Sequence, residues 1–318
     1  MNISLLEPLG LTQEEIDELA EGITSRGHSF TYYDTKTTDP AELIRRSAGQ
    51  DVVMIANNPY PKEVIEASKD LKMIAVAFTG IDHVDVQACN DRHIMICNCA
   101  GYSTTSVAEL VIGLTIAVLR KIGPCDGAVR GGMTSAGLTG LEIGGKTVGI
   151  VGCGAIGTQA GRLYNAFGAH VLAFARHDRP EWADAGIHAA DLDTLLEQSD
   201  IVSINLPLNA NTRGFFDKDK IAKMKPGSIL INCARGPIID NAALADALKE
   251  GRIAGAGIDV FDMEPPIPAD YPLLSAPNTV LTPHVAFLTK EAMVRRGAIE
   301  FDNVISWLEN KPKNVCNK

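Results

Sequence analysis

Short apolar runs alternate with amphipathic stretches along the whole chain. The apolar runs are rich in Val and Ile, which is typical of buried strands, and the stretches between them repeat their apolar residues with a helical period. Strands are predicted at 2–6, 29–33, 51–55, 72–78, 94–98, 147–152, 170–174, 201–207, 228–234, 254–260 and 279–283. Strands that alternate with helices predict parallel sheets covered on both faces, which is an α/β fold.

The predicted strands are too many for one open sheet, so the pattern indicates two α/β domains. The boundary is predicted near Gly101, just before the apolar stretch 107–119. The last helical stretch follows the final strand and is long enough to return to the first domain. We therefore predict one domain from 1–100 with 288–318, and a second domain from 101–287.

Composition and charge narrow the class of protein. Of the 318 residues, 46% are hydrophobic and 21% are charged, which is ordinary for a soluble protein. A net charge of −10 would be repelled by nucleic acid or an anionic membrane, so neither is an expected partner. The longest apolar run, 107–119, contains Glu109 and is too short to span a bilayer. Cysteine spacing supports neither a metal site nor a disulfide framework, and no signal peptide is recognised, so a reduced, cytoplasmic protein is expected.

A glycine-rich turn between a strand and a helix is the first chemical motif. Gly152, Gly154 and Gly157 form the G-x-G-x-x-G pattern. The first glycine permits a tight turn, the second lets the backbone approach a pyrophosphate, and the third lets helix and strand pack closely. The helix N-terminus offers N–H groups and the positive end of its dipole to phosphates. In this setting the motif predicts a dinucleotide site.

The second strand of this unit ends without the acidic residue that would bind the ribose of NAD. Ala175 stands there, followed by Arg176, and His177 and Arg179 are close behind. An arginine can form bidentate hydrogen bonds with a phosphate, and the missing carboxylate removes a repulsion, so NADP(H) is the predicted preference. Two alternatives stay open: Arg176 stacks on adenine or lies in solvent while NAD(H) binds, or Asp178 serves as a substitute acid.

Three polar side chains follow predicted strands of the second domain, at the edge where open α/β sheets bind ligands. Arg235 can bind a carboxylate bidentately and polarise a carbonyl. His284 can donate a proton near neutral pH, and Glu264 can fix its ring and favour its charged form. Each residue alone is unremarkable. Together at one sheet edge they predict hydride transfer to a 2-oxo acid.

Seven ordered motifs resemble those of the D-isomer-specific 2-hydroxy-acid dehydrogenase family: FTGIDHVD, YSTTSVAEL, VGCGAIG, NLPLNANTRG, INCARGPIID, AGIDVFDMEP and LTPHVA. The resemblance runs from near residue 50 to the C-terminus. It implies a flavodoxin-like substrate domain and a Rossmann-like cofactor domain with the site in the cleft, and a catalytic set of Arg235, Glu264 and His284. It also implies a homodimer joined through the cofactor domain, with the helix at 107–119 in the interface.

For the cofactor, the resemblance implies contacts from Gly152, Gly154, Ala155, Ile156, Gly157, Ala175, Arg176, Pro207, Thr212, Cys233 and Asp259, the last at the nicotinamide carboxamide.

On the substrate side, the resemblance implies that backbone N–H groups around Thr79 and Gly80 hold the substrate carboxylate. The segment 56–59 reads Ala-Asn-Asn-Pro where phosphoglycerate dehydrogenases carry arginines. A phosphorylated substrate is therefore disfavoured, because an unpaired phosphate is costly to bury. Tyr60 either hydrogen-bonds a substrate hydroxyl or only narrows the pocket, and Phe287 is expected to line it.

The sequence thus predicts an NAD(P)H-dependent reductase that converts small 2-oxo acids, such as glyoxylate or hydroxypyruvate, to D-2-hydroxy acids. One alternative is a dinucleotide-sensing regulatory protein, since corepressors resembling this family keep similar residues. The lack of charged docking tails disfavours it. Formate oxidation is disfavoured because that branch has an amide at the position of Glu264.

Overall fold

A computed structural model describes residues 1–177 and 179–317 of the chain. The strands are β1 (Asn2–Leu5), β2 (Ser29–Tyr32), β3 (Val52–Ile55), β4 (Met73–Val76), β5 (Met95–Asn98), β6 (Thr147–Val151), β7 (His170–Phe174), β8 (Ile187–Ala189), β9 (Ile201–Ile204), β10 (Ile229–Asn232), β11 (Gly255–Ile258) and β12 (Thr279–Leu281). The helices are α1 (Gln13–Thr24), α2 (Pro40–Ser47), α3 (Lys62–Ala67), α4 (Val86–Asp91), α5 (Thr104–Leu119), α6 (Ile122–Arg130), α7 (Ala155–Ala166), α8 (Glu181–Asp184), α9 (Leu192–Gln198), α10 (Lys218–Lys223), α11 (Asn241–Lys249) and α12 (Lys290–Leu308).

Contacts within the chain divide it into two compact units. The first unit is Met1–Ser103 together with the chain from Leu288 onward, and the second is Thr104–Phe287. The sequence placed these divisions between residues 100 and 101 and between residues 287 and 288. Helix α12 therefore belongs to the first unit, although it follows the last strand of the second.

The first unit holds a five-stranded parallel sheet in the order β2-β1-β3-β4-β5. This is the flavodoxin-like order, in which the chain turns to opposite sides of the sheet between β1 and β3. All residues of β3 and β4 are buried, as expected for central strands covered on both faces. The predicted doubly wound fold of this unit is confirmed.

The second unit holds a seven-stranded parallel sheet in the order β12-β11-β10-β9-β6-β7-β8. The chain leaves β6 toward β8 and returns to β9 on the other side, which is the Rossmann-like winding. The reversal lies at the carboxyl end of β6, where the glycine turn begins. Strand β8 is absent from the sequence prediction, because its three residues are too few to form an apolar run.

The apolar helix α5 packs against α7 and β11 of its own unit. Val111, Leu114 and Leu119 are buried there, and the hydroxyls of Thr115 and Tyr164 lie 2.6 Å apart. The helix is therefore apolar because it lies in the core of the second unit. Across residues 1–177 and 179–317, no helix combines the length and the apolar character needed to cross a membrane.

Candidate active site

The glycine turn joins β6 to α7 and leaves open space beside one glycine. Gly152 has a φ of 94°, and a Cβ there would lie 2.8 Å from the backbone of Asn205. A Cβ at Gly157 would lie 2.5 Å from the carbonyl oxygen of Gly152. Both positions therefore require glycine for the fold itself. Gly154 differs, because a Cβ there would meet nothing within 4 Å.

Gly154 is the N-cap residue of α7, and no side chain caps this helix terminus. The first N–H groups of the helix thus face the open space beside Gly154, which is the arrangement that binds phosphate. The predicted contacts Ala155 and Ile156 form the first turn of this helix. The turn fits the pyrophosphate of a dinucleotide.

The end of β7 lies beside the glycine turn, because the N–H of Gly152 donates to the carbonyl of Phe174 over 2.8 Å. Ala175 follows directly and is half-buried, whereas Arg176 is exposed. Arg179 forms an ion pair with Glu181, with 3.4 Å between Nη1 and Oε1. Asp178, the alternative acid, lies outside the described residues.

The two remaining predicted cofactor loops follow β9 and β10. The Thr212 hydroxyl donates to the carbonyl of Pro207 over 2.6 Å and accepts from the N–H of Asn209 over 2.8 Å. Thr212 therefore closes the loop on which Pro207 is exposed. The Cys233 side chain is buried in the core, and burial together with the nearby Asp259 carboxylate raises the pKa of its thiol well above the usual value. The thiol thus stays protonated.

His284 and Glu264 form a direct pair. The Nδ1 atom of His284 lies 2.8 and 2.9 Å from the two carboxylate oxygens of Glu264. The His284 side chain is only 14% exposed, whereas that of Glu264 is 62% exposed. The Phe287 ring packs edge-on to the imidazole at 5.4 Å between centroids. These contacts fix the ring and commit Nδ1 to the carboxylate, which directs Nε2 away from it.

The backbone of His284 has a φ of 56°, a left-handed conformation that is uncommon outside glycine and asparagine. Buried Asp259 holds this turn. Its carbonyl accepts from the N–H of His284 over 2.8 Å. Its carboxylate accepts from the Thr282 hydroxyl over 2.5 Å, and from the N–H groups of Val285 and Ala286 over 2.9 Å each. The uncommon conformation is thus stabilised by hydrogen bonds that one buried acid accepts.

Asp259 has a role that the sequence analysis missed. Three hydrogen bonds occupy most of the roughly four acceptor positions of a carboxylate. Burial raises its pKa, and these hydrogen bonds oppose the rise. The predicted contact with the nicotinamide carboxamide would use the remaining acceptor position. Thr282 was also missed, although it follows β12 at the same sheet edge.

Arg235 follows β10 and lies close to the segment after β11. The Asn232 side chain shapes its turn, accepting from the N–H of Ala234 and donating to the carbonyl of Arg235, each over 3.0 Å. A Cβ at Gly236 would overlap the carbonyl of Phe261, so only glycine fits there. The turn that carries Arg235 is therefore in contact with the segment that leads to Glu264.

The loop that carries Glu264 is anchored through Asp262. The Asp262 carboxylate accepts from the side-chain amide of Asn241 over 2.9 Å and from the hydroxyl of Tyr271 over 2.8 Å. Sequence reasoning missed these anchors, because apolar periodicity does not show which polar side chains meet across a loop.

The structure bears on two expectations for the first unit. Tyr60 is fully buried, and its hydroxyl donates to the Ser47 hydroxyl over 2.8 Å, so it is a core residue and not a substrate contact. The segment 56–59 also has a cation beside it, since Nζ of Lys36 lies 2.6 Å from Oδ1 of Asn57. The lack of charge within this segment therefore does not exclude a phosphorylated substrate. Lys36 was missed because it comes from the loop after β2.

Known proteins were compared with this chain. Residues 112–286 match the family model described as D-isomer specific 2-hydroxyacid dehydrogenase, NAD binding domain. The hydroxypyruvate reductase of Blautia hydrogenotrophica is 34% identical over 325 residues, covering 100% of both chains. The chain belongs to the D-isomer specific 2-hydroxyacid dehydrogenase family. This confirms the predicted family and its class of enzyme, an oxidoreductase.

Two further similar proteins are both described as reductases. The glyoxylate reductase of Thermofilum pendens is 38% identical over 286 residues, which cover 87% of this chain and 84% of the relative. Among solved structures, an acyclic imino acid reductase in complex with NADPH and D-Arg has a TM-score of 0.90 and 33% identity. That match covers 99% of this chain and 100% of the reductase.

Proposed function

We propose that this dehydrogenase reduces small 2-oxo acids, such as glyoxylate or hydroxypyruvate, to D-2-hydroxy acids, and that NADP(H) is its preferred cofactor. The observation that carries the proposal is the His284–Glu264 pair, in the sheet that also carries the glycine turn. The names of two relatives, hydroxypyruvate reductase and glyoxylate reductase, support the substrate class.

The dinucleotide would bind along the carboxyl edge of the second unit's sheet. Gly152, Gly154 and the first turn of α7 would hold its pyrophosphate, because the open space beside Gly154 admits it. The reduced nicotinamide, when bound, supplies the hydride that reaches the carbonyl carbon of the substrate.

His284 would supply the proton. Its Nδ1 atom is committed to Glu264, so Nε2 is the atom that donates to the carbonyl oxygen as this becomes a hydroxyl. The Glu264 carboxylate holds the imidazole ring in the orientation that this transfer needs. Arg235 would bind the substrate carboxylate and polarise its carbonyl. Thr79 and Gly80 of the first unit stay the predicted backbone contacts for that carboxylate.

The end of β7 supports the preference for NADP(H). Ala175 places no carboxylate beside the glycine turn, and Arg176 is exposed. An exposed guanidinium at this position would reach a 2′-phosphate and bind it with charge-assisted hydrogen bonds. NAD(H) stays the alternative cofactor.

A homodimer joined through the second unit, with helix α5 in its interface, stays part of the proposal. Next to α5, Ile122, Val129, Met133 and Leu141 are exposed apolar residues on α6 and the segment after it, and these would extend the interface. We expect this surface to be covered by a second copy. Sedimentation equilibrium of the wild type and of Val129→Asp tests it, and a wild-type monomer would contradict it. The cytoplasmic location stays a prediction.

Initial rates test the proposed reaction. Glyoxylate, hydroxypyruvate and phosphohydroxypyruvate are each supplied with NADPH and, separately, with NADH. We expect turnover of a 2-oxo acid and a preference for NADPH of about tenfold or more, the scale of one charge-assisted contact. Tight dinucleotide binding without turnover across the panel would instead support the sensor alternative.

A second candidate reaction is reduction of an imine. It is favoured by the similarity to the imino acid reductase that holds NADPH and D-Arg. The hydroxypyruvate assays are repeated with ammonium or an amine, because glyoxylate would give achiral products, and the products are separated by chiral chromatography. A D-amino acid formed faster than the hydroxy acid would favour imine reduction.

A further inference from the structure

The carbonyl of Thr79 is held by a side chain of the neighbouring strand. The Asn98 side-chain amide donates to this oxygen, with 2.7 Å between Nδ2 and the oxygen. Thr79 follows β4, and Asn98 ends β5, which pairs with β4 in parallel and places Asn98 opposite Val76. The contact therefore lies at the carboxyl edge of the first unit's sheet.

This hydrogen bond sets the direction of the next N–H group. A trans peptide is planar, so the carbonyl of Thr79 and the N–H of Gly80 point in opposite directions. Because Asn98 holds the carbonyl on its own side, the N–H of Gly80 is directed away from β5. That N–H is one of the groups predicted to bind the substrate carboxylate.

Asn98 is itself held on several sides. Its Oδ1 accepts from the N–H of Ala100 over 3.3 Å. Its carbonyl accepts from the side-chain amide of buried Asn303 on α12 over 2.8 Å. The Asn314 side chain donates to Oδ1 of Asn303 over 2.8 Å, and the carbonyl of Asn314 accepts from the N–H of Asn98 over 3.1 Å. Four asparagine and threonine residues thus form one connected chain: Asn314, Asn303, Asn98 and Thr79.

The segment 314–317 runs antiparallel along β5, which is otherwise the edge strand of its sheet. Val315 pairs with Cys97, and the N–H of Cys316 donates to the carbonyl of Ile96 over 2.8 Å. Oδ1 of Asn317 accepts from the N–H of Ile96 over 2.6 Å. This segment, which we term the edge segment, therefore fixes the end of β5 that carries Asn98.

We propose that Asn98 is a positioning residue for 2-oxo acid binding and that the edge segment holds it in place. The inference rests on the proposed function, since it assigns a support to the loop that receives the substrate carboxylate. The carboxylate contact exists before and during hydride transfer. Weakening its support should therefore raise KM for the 2-oxo acid more than it lowers kcat.

Asn98→Asp is the variant that separates the two hydrogen bonds of this side chain. The aspartate keeps an acceptor for the N–H of Ala100, loses the donor to Thr79, and places a carboxylate oxygen against that carbonyl. We expect KM for glyoxylate or hydroxypyruvate to rise about tenfold, with kcat and KM for NADPH changed by less than about threefold. Asn165→Asp is the matched control. It removes an exposed amide donor to backbone carbonyls in the second unit, and wild-type KM values are expected.

Asn314→Gly tests the edge segment. Asn314 has a φ of 52°, which glycine adopts readily, and the carbonyl that accepts from Asn98 is kept. Only the side-chain link to Asn303 is lost, so a rise in KM of about two- to threefold is expected. A variant that ends at Lys313 loses the whole edge segment and should exceed this effect. These two variants carry the test if Asn98→Asp does not fold.

Hydrogen exchange of the backbone amides of residues 79–82 gives a readout that does not depend on turnover. Exchange should be faster in Asn98→Asp and unchanged in Asn165→Asp. If the wild type reduces no 2-oxo acid, the proposed function fails, and exchange alone decides whether Asn98 positions the loop. Exchange at the wild-type rate in Asn98→Asp, or a KM within about twofold of the wild type, would overturn the inference.

Discussion

Two loops at the carboxyl edge of the same sheet differ in how firmly they are held. The turn after β12 carries His284 and is built around buried Asp259, which receives hydrogen bonds from three neighbouring groups. The loop after β7 carries Arg176 and His177, which are both exposed. The first loop keeps an uncommon backbone conformation around a buried acid, whereas the second presents exposed cationic and imidazole side chains.

The difference follows from what each loop would do. Proton transfer needs heavy atoms at hydrogen-bond distance in a fixed orientation, so a misplaced imidazole loses rate steeply. Recognition of a phosphate by an arginine depends on charge and tolerates a mobile side chain. Changes in the first loop should therefore remove activity, whereas changes in the second should shift only the choice of cofactor.

His284→Asn should have the largest effect. Asparagine tolerates the left-handed φ of 56°, so the turn is kept while the proton donor is lost. We expect kcat for reduction to fall about 10³-fold, which is within the range for loss of a general acid. Steady-state rates with calorimetric titration of the dinucleotide check this.

The control for His284→Asn is His188→Asn, a change at an exposed histidine of β8. It should leave kcat within about twofold of the wild type. A loss of less than about tenfold in His284→Asn would mean that another group donates the proton.

Asp259→Asn should be the next most damaging change. The amide can accept on one side only, so at least one of the groups that donate to Asp259 would face an NH₂ group. We expect the free energy of unfolding to fall by about 2 kcal/mol, and kcat/KM to fall about a hundredfold as the His284 turn loosens. Urea unfolding and steady-state rates measure both. Thr282→Val removes one donor only and should produce a smaller loss in each.

Comparison with Asp259→Asn also predicts how the stability of the wild type changes with pH. Burial raises the pKa of Asp259 above its ordinary value of 3.8. Its contribution to the stability of the folded state is therefore fully present below pH 3.8 and is lost as the pH rises through the raised pKa. Asparagine does not titrate, so the stability of the wild type relative to Asp259→Asn should decrease over that range. An increase would show that the hydrogen bonds outweigh burial.

The sequence alone predicts one part of the site, the residues that directly follow a strand. Parallel strands end at one edge, so a residue just after a strand can be placed without coordinates. This placed Arg235, Glu264 and His284 at one sheet edge and predicted two parallel α/β sheets, whereas the strand order of each sheet came only from the structure. It also predicted the glycine turn, because Gly152 and Gly157 are required by close contacts and Gly154 leaves space for a pyrophosphate.

Contacts between residues distant in the chain could not be predicted. Asp259 meets Thr282 only because β11 and β12 pair in one register. The cation beside Asn57 comes from Lys36 on another loop, and Tyr60 turns inward to Ser47. Apolar periodicity shows which face of a helix or strand is buried, but it does not show which polar side chain lies against that face.

Glu264→Gln should have a smaller effect than either change in the turn. Glutamine keeps a hydrogen-bonding side chain of the same length but removes the charge that pairs with the His284 ring. A charge-assisted hydrogen bond contributes about 2 kcal/mol, and the exposed carboxylate is partly screened, so a fall in kcat/KM of about tenfold to thirtyfold is expected. A fall in kcat/KM of less than about threefold would argue against this role.

Arg176→Ala should change only the choice of cofactor. We expect the ratio of kcat/KM with NADPH to that with NADH to fall about tenfold, mainly through a higher KM for NADPH. Arg179→Ala is the matched control, since its guanidinium is already paired with Glu181, and it should lower the ratio by about two- to threefold. Equal losses in the two variants would indicate a general positive field and no specific contact. An unchanged ratio in Arg176→Ala would mean that this side chain stacks on adenine or stays in solvent, and that Ala175 alone relaxes the selectivity.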